Sequence, residues 1–267
     1  MRAKLLLIFI YSFSTYSFAQ LKPVGSFQLP FVIDKIANDR QRNLYFTSRE
    51  GVVEKYNAKG ELLYHFSPPQ KSAAAVLAAW QGLRVFVYYD GLQQYLFLNR
   101  FLTESESYRL QRFELSSFSG KATLSADNNL WLINDRDMIL KKMDLNSGEI
   151  LLENKLNLSL DISRLSVSHM REYQNKVVIS DAQEGILIFN NLGIYLEIIP
   201  IQGVQHFSFS GDNLVYYKEG VLSIYNFYRQ EEQAIPLPSP DYTNALLQDG
   251  LIYAVFGKRV DIFQWIK

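Results

Sequence analysis

The chain has 267 residues, of which 48% are hydrophobic, 14% aromatic and 20% charged. This composition excludes a disordered chain, and a domain of this size buries about 75% of its unfolded surface without a disulfide or structural metal. The 27 basic side chains balance 27 acidic ones, so no basic field is available for nucleic acid, and the lack of cysteine excludes a thiol nucleophile, a cysteine metal site and a lipid-modified N-terminal cysteine.

At the N-terminus, Arg2 and Lys4 precede an apolar run from Leu5 to Tyr16. Ser17-Phe18-Ala19 then forms a small-x-small cleavage site before Gln20. The run is shorter than the roughly 20 residues of a membrane helix, and no second run of that length follows. Residues 1–19 are read as a signal peptide and 20–267 as one exported domain, periplasmic or extracellular. The competing readings are an uncleaved anchor and a buried first helix.

From there one pattern recurs six times: a turn, an apolar anchor, a β-rich run, a polar or glycine turn and a second β-rich run. The anchors are Leu44, Leu83, Leu130, Val177, Leu214 and Leu251, spaced by 39, 47, 47, 37 and 37 residues. The first repeat predicts an innermost strand over Val32 to Ala37 and a second over Asn43 to Thr47. A third follows over Val52 to Tyr56 and an outer strand over Leu62 to Phe66, stopped by Pro68-Pro69. The second uses Ala75 to Ala79, Leu83 to Tyr88 and Gln93 to Leu98, and the polar stretch Glu104 to Arg109 reads as a solvated outer strand or loop. Later repeats place strands at Asn129 to Leu132 and Ile139 to Leu145, at Lys176 to Ser180 and Ile186 to Phe189, and at Asn213 to Tyr217 and Val221 to Tyr225. The last places them at Leu251 to Phe256 and Val260 to Trp265.

The sixth repeat lacks an outer strand, and Val24 to Leu29 is available to supply it by pairing with Val260 to Trp265. The expected fold is therefore all-β, a six-bladed β-propeller closed by its N-terminal strand. A β-sandwich shares the alternation but not six copies at a near-constant period, and a β-solenoid has shorter repeats.

Asp127-Asn128-Asn129-Leu130-Trp131, continued by Met143-Asp144-Leu145-Asn146-Ser147-Gly148, resembles an NHL-type repeat. Asn43-Leu44-Tyr45 with Tyr56-Asn57-Ala58-Lys59-Gly60 is similar, whereas the second repeat has no Asn before its anchor and the fourth has Lys176 there. The resemblance implies a six-bladed propeller of the NHL/TolB-like kind, a fold that hosts enzymes, ligand binders and interaction scaffolds. Within it, lactonase-like enzymes hold one calcium with carboxylates and Asn at the channel mouth, which makes calcium the cofactor of one alternative reading.

Catalytic patterns are sparse. His65, His169 and His206 fall in different repeats without ligand spacing, and Ser208 and Ser210 beside His206 read as strand alternation. No nucleophile elbow, phosphate loop or dinucleotide fingerprint occurs. Trp80, Trp131 and Trp265 read as filler between blades. The candidate site is the face carrying the turns between second and third strands. There Tyr88, Tyr89, Asp90, Asp135, Arg136, Asp137, Tyr216, Tyr217 and Lys218 cluster by repeat position; strand alternation allows one tyrosine of each pair to be exposed, while packing between blades is the favoured reading of both pairs. Asp34, Asp161, Asp181, Glu184, Asp241 and Tyr242 accompany them. The leading functional expectation is a scaffold without catalytic or cofactor chemistry that binds a protein or cell-envelope macromolecule. The alternatives are a calcium-dependent lactonase-like hydrolase and a small-ligand or glycan binder.

Overall fold

The computed structural model describes residues 20–113 and 120–266, so the expected signal peptide lies outside the described residues. The described strands form six antiparallel sheets of four. β1 (Gln20–Gln28) opens the chain, and blade 1 follows as β2 (Ile33–Asn38), β3 (Leu44–Ser48), β4 (Val53–Tyr56) and β5 (Leu62–Phe66). Blade 2 is β6 (Val76–Ala78), β7 (Arg84–Tyr89), β8 (Gln94–Asn99) and β9 (Glu104–Arg109). Blade 3 is β10 (Gly120–Leu124), β11 (Leu130–Asn134), β12 (Ile139–Met143) and β13 (Ile150–Lys155). Blade 4 is β14 (Val167–Tyr173), β15 (Lys176–Asp181), β16 (Gly185–Asn190) and β17 (Tyr195–Ile199). Blade 5 is β18 (Phe207–Ser210), β19 (Asn213–Lys218), β20 (Val221–Asn226) and β21 (Glu231–Pro236). Blade 6 is β22 (Asn244–Gln248), β23 (Leu251–Phe256), β24 (Arg259–Ile266) and, as its outer strand, β1. This is a six-bladed β-propeller with the closure expected from the sequence.

Successive strand residues point to opposite faces, and in the middle strands both faces are covered by a neighbouring blade. Each interface is a separate apolar cluster. Tyr45 meets Val85 and Val87 between blades 1 and 2, and Phe86 meets Leu130 and Leu132 between blades 2 and 3. Trp131 meets Val177 and Ile179 between blades 3 and 4, and Ile186 meets Leu214 between blades 4 and 5. Leu222 meets Ile252 between blades 5 and 6, and Val260 meets Leu44 between blades 6 and 1. This pattern corrects two anchors. Leu83 lies outside its strand and is 66% exposed, and Val85 takes the position equivalent to Leu44. Leu251 faces blade 1, and its neighbour Ile252 faces blade 5 as an anchor should.

Blades 1 and 3, which carry the NHL-like pattern, share a device behind it. Asp39 accepts from Asn43 N (2.9 Å) and Tyr45 Oη (2.9 Å), and Lys55 lies 3.9 Å away with its ammonium over the Tyr45 ring. In blade 3 two residues divide that work: Ser125 caps Asn129 N, while Asp127 pairs with Lys142 at 2.6 Å, whose ammonium lies over Trp131. The acidic turn therefore anchors a buried lysine against an aromatic ring, as a cation–π contact requires.

Closure uses β1 along most of its length, in register from Gln20↔Ile266 to Gln28↔Arg259. The register shifts between Pro23 and Gly25, leaving Val24 57% exposed. A proline and a bulge on an outermost strand discourage pairing with another chain. The polar β9 protects the edge of blade 2 in the same way. Phe27 reaches over blade 1, with its ring 5.9 Å from Phe46 and 5.4 Å from Tyr56. It fits only because Gly60 has no side chain: a Cβ there would fall 2.3 Å from Phe27, and φ at Gly60 is +85°.

Deleting residues 21–30 is expected to expose the edge of β24, abolishing the cooperative melt or producing aggregates by size-exclusion chromatography. An unchanged melting temperature in a monomer would refute closure as a requirement. Gly60→Ala is expected to cost about 1–3 kcal/mol in denaturant unfolding, from the left-handed backbone and the displaced Phe27.

Candidate functional site

Six innermost strands surround a central channel. β14 supplies its most polar wall, because His169, Arg171 and Tyr173 alternate on one strand face. Met170 and Glu172 take the other face and are buried, with Glu172 accepting from Trp131 Nε1.

Midway, the channel is plugged. The rings of His169 and His206 lie 4.4 Å apart, and Phe207 packs edge-on 4.6 Å from His169. The space left among them is about 20 Å³, room for a single water. Burial, with added repulsion from Lys35 and Arg171, holds His206 down to about 3, and burial and His206 hold His169 well below the ordinary imidazole range. Both rings are neutral at pH 7. His206 and Arg171 retain partial surface exposure, His206 toward the upper mouth and Arg171 toward the lower, while the protein packed around the rest of each side chain makes desolvation the largest influence.

The plug separates two mouths. The upper one carries the turns between second and third strands and holds about 420 Å³, lined by Asp34, Lys35, Asp90, Lys121, Gln205 and Asn244 among others. Its charges are matched: Asp34 pairs with Lys35 at 3.3 Å, and Asp90 with Lys121 at 3.2 Å. Of the nine residues singled out from the sequence, only Asp90 lines it.

The others are placed elsewhere. Tyr88 and Tyr89 point to opposite sides as strand geometry demands, yet both are buried, because each side of β7 is a blade interface. Both therefore pack between blades, the reading favoured from the sequence, and neither is exposed. Tyr89 Oη donates to Gly51 O at 2.9 Å. Tyr216 is buried and donates to Glu232 at 2.6 Å; Tyr217 is half-buried and donates to Tyr242 O at 2.7 Å. Lys218 lies against Gly203. Arg136 and Asp137 are exposed in a turn organised by Asn134, and Asp137 accepts from Asn134 Nδ2 at 2.9 Å. Asp135 is half-buried, and desolvation together with Asp181 pushes its carboxyl up to about 6.

Most carboxylates of this face are engaged in turns and ion pairs, whereas Asp135 Oδ1 is buried without a partner. Asp181 accepts from Ser166, Gln183 and Glu184 N–H groups, and Glu50 pairs with Lys71. Among the described residues no three His, Asp or Glu side chains form a metal-holding group.

The lower mouth, on the face of the turns between first and second strands, holds about 310 Å³. Trp80, Arg171, Tyr173, Phe209 and Gln248 form its wall, with Arg40 at its rim. Tyr173 and Phe209 stack at 4.3 Å with planes 4° apart. Trp80 is thus a channel residue and not filler; Trp131 and Trp265 do pack between blades. Four buried polar atoms at or beside this mouth have no hydrogen-bond partner: Trp80 Nε1, Arg171 Nε, Gln248 Oε1 and, deeper, Thr123 Oγ1. Sequence reasoning passed over these residues. The available signal was the run His169, Arg171, Tyr173 at period two on an innermost strand, where β6 offers only Val, Leu and Ala.

No family model and no curated protein matches the chain. Solved structures match its shape. The β-propeller domain of Cps50 (Swd1) from Myceliophteria thermophila superposes with a TM-score of 0.63 at 12% identity, covering 92% of this chain and 100% of that one. Virginiamycin B lyase from Staphylococcus aureus gives 0.64 at 11% identity, with 92% and 100% coverage. A streptogramin B lyase gives 0.64 at 11%, covering 91% and 97%. At such identities the likeness defines the fold class alone, a β-propeller, whose six-blade count here comes from the chain's own six sheets; the matched structures include both a lyase and a propeller domain of another kind.

The imidazole pair makes the fold sensitive to acid. Each histidine binds its proton more weakly folded than unfolded, so its contribution is complete above pH 6.5 and is lost as the pH falls below it. The slope is at most about 1.4 kcal/mol per pH unit for each ring. Asp135 acts in the opposite sense between about 6 and 3.8, gaining stability as it takes up a proton. Comparing His206→Gln with the parent chain cancels that contribution. Urea unfolding from pH 7 to 5 is expected to fall less steeply in the variant; parallel curves would contradict the buried neutral state.

Proposed function

We propose that this propeller is an exported binding protein, not an enzyme, and that its ligand is a small organic molecule held at the lower mouth of the channel. The observation that carries this reading is the convergence of Trp80, Tyr173 and Phe209 with unpartnered polar atoms of Trp80, Arg171 and Gln248 around one cavity. Small-molecule sites are concave and carry a few placed polar groups, and about 310 Å³ lies at the lower end of their range; here the rings of Trp80, Tyr173 and Phe209 are set in a largely polar lining. Export is supported by the charged start, apolar run and small-x-small site of residues 1–19. The absence of a reactive constellation in the cavity supports binding over chemistry: its nearest imidazoles are neutral, enclosed and paired with each other.

A macromolecular partner is the second reading. It is favoured by Leu192, Ile194, Leu196 and Ile198, each between 38% and 55% exposed along the outer edge of blade 4. Unpartnered aliphatic rows of this kind are uncommon on solvated edges.

The first reading is tested by recording the indole N–H resonance of Trp80, assigned through its loss in Trp80→Phe, while a set of flat-ring compounds is added. Compounds that shift it and lose binding about tenfold in Trp80→Ala are expected. A set whose binders all shift residues away from the lower mouth would refute the site. The second reading predicts that Ile194→Lys with Leu196→Lys abolishes a specific partner's retention from the envelope fraction, while Trp80→Ala leaves it unchanged.

A further inference from the structure

We propose that the lower mouth takes an organic oxyanion, a carboxylate borne on a flat ring, with Arg171 as its counter-ion. The inference deepens the small-ligand reading and rests on it.

Arg171 makes no hydrogen bond and no ion pair with any described residue, and its Nε is buried without a partner. Instead its guanidinium is surrounded by rings, 5.2 Å from Phe209, 5.8 Å from Tyr173 and 5.9 Å from Trp80. Cation–π attraction offsets only part of the cost of removing a guanidinium from water, and an enclosed cation without a counter-ion is strongly disfavoured. Burial lowers the guanidinium to about 10, which still leaves it charged at neutral pH.

The acidic side chains of this mouth are already committed. Asp39 accepts from Gln41, Asn43 and Tyr45, and Asp249 pairs with Arg42 at 2.6 Å. No described acidic side chain is left to supply the counter-charge, and a bound ligand supplies it in this reading. Arg171 and the Trp80 indole supply N–H donors to an oxyanion, and Gln248 Oε1 supplies an acceptor for a donor elsewhere on the ligand. The positive rim residue Arg40 favours the approach of anions. One enclosed guanidinium matches a single negative charge, and the rings match a flat apolar body. A phosphate dianion would bring a surplus negative charge beside the rings and the carboxylates of Asp39 and Asp249.

The full chain is titrated calorimetrically with indole-3-acetate, with indole-3-ethanol as its neutral counterpart, and with inorganic phosphate. The acid is expected to bind about tenfold or more tighter than the alcohol, as loss of a charge-assisted contact implies, with phosphate failing to displace it. Arg171→Met is expected to erase that preference while melting at or above the parent temperature, since it removes an uncompensated buried charge. Trp80→Phe keeps a ring but not the N–H, and is expected to weaken the acid several-fold. Equal affinities for acid and alcohol would overturn the anion inference and leave the small-ligand reading standing. Displacement by phosphate at comparable affinity would overturn the carboxylate class. Binding of neither indole would overturn both. Should Arg171→Met fail to fold, an unchanged acid-to-alcohol ratio in Trp80→Phe and Arg171→Gln together would overturn it as well.

Discussion

Everything in this molecule depends on the pairing of β1 with β24. A blade of four strands has two apolar faces, and each needs a neighbour to cover it. In an open array the first and last blades would each leave one face bare. Ring closure removes both exposures at once, through the cluster in which Leu44, Phe46 and Tyr56 of blade 1 meet Tyr253, Val255 and Val260 of blade 6. At roughly 1.5–3 kcal/mol for each fully buried large side chain, one such interface is comparable to the net stability of a whole domain. A strand from one end of the chain completes a sheet from the other, so the ring is also held by backbone hydrogen bonds.

Closure creates the channel and limits what can occupy it. Six innermost strands converge on one axis, where space is scarce and every strand presents an unpaired edge. Small residues such as Ala75, Ala78 and Ala79 relieve the crowding on the blade 2 side. On the opposite side β14 and β18 bring in His169, His206, Arg171, Tyr173 and Phe209. The imidazoles fill the middle, so the channel does not pass through the molecule. Both mouths are largely polar, and they differ in that the upper has paired charges whereas the lower adds three aromatic rings around Arg171.

Much of this architecture was legible in the chain. The period of the anchors, the glycine and asparagine turns, and the missing sixth outer strand all follow from local rules, since strands and turns depend on neighbouring residues. The two misplaced anchors show the limit of such rules. Leu83 and Leu251 are as apolar as Val85 and Ile252, and only the facing blade distinguishes them. Tyr88 and Tyr89 show the same limit, since the sequence left open whether one of them reaches the surface. Alternation assigns them to opposite sides, but it cannot say that both sides are covered.

The amino-acid sequence by itself determined the number of blades, the four-stranded plan and the segment that closes the ring, because these arise from periodicity and turn chemistry along the chain. The tertiary structure alone decided where the candidate site lies. Trp80, Arg171, Phe209 and Gln248 belong to four different blades, and no spacing in the sequence relates them. They meet because the ring carries the ends of their innermost strands to one axis, and only there does a lone arginine become a cation without a counter-ion.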